Sequence, residues 1–152
     1  MGQYHVIANL DRKEYLHPHR LGLGLKQAEQ VGCAWSTGDL LALLVAGTGE
    51  SRGGGDFADT SGFIGRWGGD RVVFVGDYAH DGDFEVREGD PAPSQLYSAC
   101  RDADEDWPGA PERFKDISDL AVAWMNAEPW CDVRVDISSE GWRSRSDKEV
   151  AA

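Results

Sequence analysis

Lysine, paired cysteine and long apolar runs are all scarce in this chain. Its 152 residues include only four lysines, and none lies between Lys26 and Lys115. The Gly-x-x-x-x-Gly-Lys-Ser/Thr loop that cradles nucleotide phosphates does not occur. Cys33, Cys100 and Cys131 are three in number and widely spaced, which excludes a closed disulfide framework. No Cys-x-x-Cys pair is present for zinc binding or redox exchange, so free thiols in a reducing compartment are expected. No Gly-x-Ser-x-Gly elbow appears, and no cysteine has a histidine near it in sequence. No stretch approaches the roughly 18 apolar residues that span a bilayer, and the N-terminus lacks a signal-type apolar core. Val6 stands where a myristoylation motif beginning Met1-Gly2 needs Ser or Thr. The expected location is the cytoplasm.

What the chain has in excess is acid. Its 27 Asp and Glu against 15 Lys and Arg give a formal net charge of −12. That balance disfavours nucleic acid and anionic membranes as partners, since both attract Lys and Arg. The charge is unevenly placed. Residues 1–69 hold 7 acids and 6 bases, whereas residues 70–152 hold 20 acids and 9 bases. An electrostatic function therefore belongs to the second half. Arg outnumbers Lys by 11 to 4 and Asp outnumbers Glu by 17 to 10, a skew that GC-rich codons also produce.

With 41% apolar and 28% charged residues, the chain suits one globular domain with a single core. Gln3 to Leu10 alternates as a strand, with Val6 and Ala8 on one face and Ile7 and Asn9 on the other. Tyr15 to His17 can return as a second strand of a hairpin. Gly24 to Val31 suits a short helix. Ser36 with Asp39 resembles a capping box, which favours a helix over the apolar run Leu40 to Ala46. The segment from Gly47 to Gly69 holds nine glycines and is read as a long loop, with disorder favoured over function. Arg71 to Val75 is a buried strand. Leu96 to Cys100 offers at most a turn. Pro111 is placed to open a helix, with Phe114, Ile117, Leu120, Ala121 and Trp124 as its core face. Asp132 to Ile137 alternates as a last strand. The expectation is an α+β fold. A single domain spans residues 1–144, its small mixed or antiparallel sheet packed against two or three helices, and residues 145–152 form a frayed tail.

Several side-chain groups could carry chemistry. Asp77, His80 and Asp81, just after the Arg71 to Val75 strand, mix carboxylate and imidazole in the way Mn²⁺, Fe or Zn²⁺ sites do. Metallophosphatases carry a similar Gly-Asp block, but they also need Asp-x-His and Asn-His blocks that are absent. A solvated acidic turn is the competing reading. Asp102, Asp104 and Asp106 have the alternate spacing that opens a calcium loop, yet Trp107 and Arg113 stand where an EF-hand requires Gly and Glu. His17 and His19 flank Pro18, and with His5 they could form a zinc site only if the hairpin gathers them. Among the six Trp residues, Trp124, Trp35 and Trp67 fit core positions. Trp107, Trp130 and Trp142 lie among acids and prolines, where an indole is either partly buried as satellite core or, if exposed, an interface anchor.

The opening Met1 to Gln30 (MGQYHVIANLDRKEYLHPHRLGLGLKQAEQ) and the block Trp67 to Ala79 (WGGDRVVFVGDYA) together resemble a family of uncharacterised small proteins from high-GC bacteria and their phages. The resemblance implies that the Asn9-Leu10-Asp11 turn, His17-Pro18-His19 and the Gly76-Asp77-Tyr78 turn form one shared surface. It supplies no reaction or cofactor. The leading expectation is a non-enzymatic accessory protein. Its acidic second half, with Asp102, Asp104, Asp106, Trp107 and Trp130, meets a basic protein partner. The alternative is a metal-dependent hydrolase or phosphoesterase using a divalent ion at Asp77, His80 and Asp81.

Overall fold

The alternation read in the N-terminal segment is realised in β1 (His5–Asn9) of the computed structural model, which describes residues 2–47, 51–101 and 108–149. β1 pairs antiparallel with β2 (Glu14–Leu16) on one side and β3 (Val72–Gly76) on the other. A two-residue strand β4 (Lys115–Asp116) joins β2 in parallel, giving a mixed sheet ordered β3-β1-β2-β4. The remaining elements are helices α1 (Gln27–Val31), α2 (Thr37–Leu44), α3 (Pro93–Arg101) and α4 (Ser118–Ala127), and the small antiparallel pair β5 (Val133–Val135) and β6 (Arg145–Asp147). The fold is α+β.

Because successive strand residues point to opposite faces, the sheet carries a core on each side. Ile7 and Leu16 share one core with Leu40 and Leu44 of α2 and with Ala121, Trp124 and Met125 of α4. Val6, Ala8 and Tyr15 share the other with Leu96, Ala99 and Cys100 of α3. The expected capping box opens α2: the Ser36 hydroxyl accepts from the Asp39 amide and the Asp39 carboxylate accepts from the Ser36 amide. Residues 51–69 contain neither helix nor strand, as expected of a loop. They are nonetheless anchored, because Phe63 and Trp67 are fully buried in the first core.

Three differences from expectation have physical reasons. The helix expected from Pro111 begins only at Ser118, because the Lys115 and Ile117 amides donate to Lys13 and Tyr15 carbonyls and draw that backbone into the sheet. Residues 93–101 form a helix rather than a turn, its first turn capped from a distance by Asp81, which accepts from the Ser94 amide at 3.0 Å. Residues 145–147, expected to fray, form β6. There the Arg145 guanidinium donates to the carbonyls of Leu21, Ala34 and Trp35.

Candidate functional site

The strand register separates the surface that the family resemblance implied. His5 pairs with Gly76 and Asn9 with Val72, so the Asn9–Asp11 turn and the Gly76–Tyr78 turn lie at opposite ends of the sheet. His17 follows Leu16, which faces Ile7, and so belongs to the Gly76 end.

At that end, the Asp77 and Asp81 carboxylates serve the backbone, and His80 takes part through its own amide. Asp77 accepts from the Tyr4 amide at 2.9 Å, Asp81 caps α3, and the His80 amide donates to Asp83 at 2.9 Å. The Ser94 amide and hydroxyl hold the Asp81 carboxyl below its ordinary range. Among the described residues, no group of three or more His, Cys, Asp or Glu is placed to hold a metal ion.

The histidines divide as well. His5 packs on Phe74 with ring centres 4.9 Å apart. His17 lies beside Arg101, and its Nδ1 accepts from the His19 amide at 3.2 Å, capping the 3₁₀ turn Pro18–Leu21. Burial, then the Arg101, His19 and Arg20 charges, push the His17 imidazole down to about 3, so it is neutral at physiological pH. His19 stacks on Trp142 at 4.2 Å. Arg101 is the member of this cluster that the sequence reading missed. Its place depends on α3, whose buried Pro93, Leu96, Ala99 and Cys100 recur at helical spacing over a run of only nine residues.

The acidic second half offers a different surface. Asp102, Asp104, Asp106 and Trp107 lie outside the described residues. Trp130, just beyond α4, is 76% exposed, and Ile137, beyond β5, is 65% exposed. The same half holds α4 and its outer face. Ala121, Val122, Trp124 and Met125 point inward, whereas Leu120, Ala123 and Ala127 face solvent. Leu120, expected in the core, is 40% exposed. α4 carries apolar residues around most of its circumference, and periodicity alone does not say which arc is covered.

Two clefts meet at Ala123. One of about 280 Å³ lies between the helix and residues 58–61, with Asp59, Ser61, Trp124, Ala127 and Glu128 in its walls. The other, about 510 Å³, lies toward β5 and is walled by Val122, Asn126, Arg134, Ile137 and the paired Asp119 and Arg143. The Asp119 carboxylate accepts from Arg20 and Arg143, each at 2.8 Å. Asp59, Glu128 and Asp136 form no salt bridge with the described residues. Burial pushes the Asp59 carboxyl up, but the Ser61 hydroxyl and the amides of Ser61, Phe63 and Ile64 more than offset this and keep it ionised. The Ser138 amide does the same for Asp136. The result is an apolar strip with the Asp59 and Glu128 carboxylates along its smaller cleft, while Asp136 lies in the field of Arg134 and Arg143. The chain matches no protein-family model, and no curated protein or solved structure is similar to it.

Proposed function

We propose that this protein is a non-enzymatic interaction module that meets a basic protein partner through its acidic second half. The observation that carries the reading is the coincidence of charge and exposed apolar surface. Residues 70–152 hold 20 acids against 9 bases. The same half exposes Leu120, Trp130 and Ile137, large apolar side chains each at least 40% exposed. Apolar anchors of this kind supply affinity, and surrounding like charges supply association rate and selectivity. The free thiols of Cys33, Cys100 and Cys131 are consistent with a reducing compartment and support the cytoplasm as the proposed location. The family resemblance supports a bacterial or phage-encoded accessory protein.

Affinity capture from a bacterial lysate at two ionic strengths tests the reading. The retained proteins should be basic and should be released by roughly 0.5 M salt, where the screening length falls to a few ångströms. Retention that is indifferent to salt, or that ignores the charge of the captured proteins, rejects it.

A further inference from the structure

We infer that the outer face of α4 is the docking surface of this module, and that its occupant is a cationic amphipathic helix of the partner. The inference rests on the interaction reading above and adds to it a place and a shape.

The shape follows from the helix surface. Ala123 and Ala127, four residues apart, form a low ridge on which another helix can lie with its axis about 8 Å away. The clefts on either side of Ala123 are placed to receive side chains that straddle the ridge. Ile137 extends the apolar contact in the wall of the larger cleft, and Leu120 is exposed on the helix one turn before Ala123. A strand is a poor alternative here. The free edge of β5 is already satisfied, because the Val135 amide donates to Asn126 Oδ1 at 2.9 Å and the Val135 carbonyl accepts from Asn126 Nδ2 at 3.0 Å.

The charge of the occupant follows from the rim. Asp59 and Glu128 border the smaller cleft, and neither forms a salt bridge with a described residue. Asp119 is neutralised by Arg20 and Arg143. Arg134 is exposed in the larger cleft and shares the next hollow with Asp147, Lys148 and Glu149. The carboxylates without a salt bridge therefore border the smaller cleft, and lysine or arginine flanking the partner's apolar stripe on that side meets them. A second copy of this chain would bring the same carboxylates face to face, which like-charge repulsion opposes.

The probe is a synthetic amphipathic helix of Leu and Lys, with its Leu and Glu counterpart as control, titrated into the ¹⁵N-labelled full chain. The lysine peptide should bind with amide shifts centred on Leu120, Ala123, Ala127 and Ile137, and the glutamate peptide should not bind. Ala123→Gln, which raises the ridge without changing charge, should weaken the lysine peptide at least about tenfold while the circular dichroism spectrum stays the same. Leu120→Gln should weaken it in the same direction. Binding of the lysine peptide with shifts elsewhere on the acidic half overturns the docking surface but leaves the interaction reading standing. Failure of every cationic probe to bind overturns both. A dimer by light scattering that Ala123→Gln dissociates replaces the partner helix with a second copy.

Discussion

Glu14 opens β2 with its carboxylate almost wholly withdrawn from water. It accepts from Arg66 Nε at 2.9 Å, Arg66 Nη2 at 2.6 Å and Trp67 Nε1 at 2.8 Å, so the residues of the Gly-rich loop are tied to the sheet through one side chain. Burial pushes the Glu14 carboxyl up, but the Arg66 and Trp67 donors together hold it below its ordinary value. Its contribution is therefore present above the ordinary glutamate range and lost as pH falls through the lowered value. Glu14→Gln leaves the Arg66 charge without its partner and should cost about 3 kcal/mol in urea unfolding. A cost near zero would show that the loop is not held through this carboxylate. His17 acts with the same sign for a different reason. Its imidazole, pushed down to about 3, stays neutral in the fold, while the unfolded chain takes up a proton below about 6.5. Stability should fall with pH below that point by up to about 1.4 kcal/mol per unit from this residue alone. His17→Asn keeps an acceptor for the His19 amide but cannot titrate, so its stability should be flatter between pH 6.5 and 5. A His17 ring proton that titrates normally near 6.5 by NMR contradicts the account.

The elements that were legible in the sequence are those whose pattern is local. β1 showed its alternation, β3 its apolar run, and α2 its Ser36–Asp39 cap. α3 carries a short helical repeat in Pro93, Leu96 and Cys100 that reads as no more than a turn, and β4 and β6 were not legible, because distant partners decide them. Asp81 caps α3, the Lys13 and Tyr15 carbonyls hold the backbone around β4, and Arg145 anchors β6. The candidate surface was half legible. Trp130 stood out as an indole among acids, whereas the outward turn of Leu120 could not be read from a helix apolar on most sides. Arg145 shows what a distant decision involves. Its planar fork reaches three carbonyls from two segments, at Leu21, Ala34 and Trp35, an arrangement a lysine ammonium cannot reproduce. Arg145→Lys should cost about 2 kcal/mol, since buried hydrogen bonds to a charged group are lost and carbonyls are left unpaired. Hydrogen exchange should then quicken in β5 and β6 before it quickens in β1. Equal acceleration throughout would mean that Arg145 does not act on this hairpin in particular.

At the scale of the whole molecule, charge affects folding and binding in opposite senses. A net charge of −12 on a small chain repels itself, and that repulsion is strongest where screening is weak. The ion pairs that hold the fold, such as Glu14 with Arg66 and Arg71 with Asp90, include carboxylates well withdrawn from water and are screened less than exposed charges. Raising salt from about 0.01 to 0.15 M shortens the screening length from about 30 to 8 Å. It should therefore raise the unfolding temperature while weakening the hold on a basic partner. The exposed apolar residues separate the same two properties. Trp130→Ala removes a side chain that is 76% exposed and should change stability by no more than about 0.5 kcal/mol. Leu44→Ala, in the core, should cost about 3 kcal/mol. If Trp130 serves a partner, its loss should weaken retention of basic proteins while the thermal unfolding curve and its salt dependence are unchanged. A Trp130→Ala chain that unfolds early, or an unfolding temperature that falls as salt is added, would place the residue and the charge in the service of the fold instead.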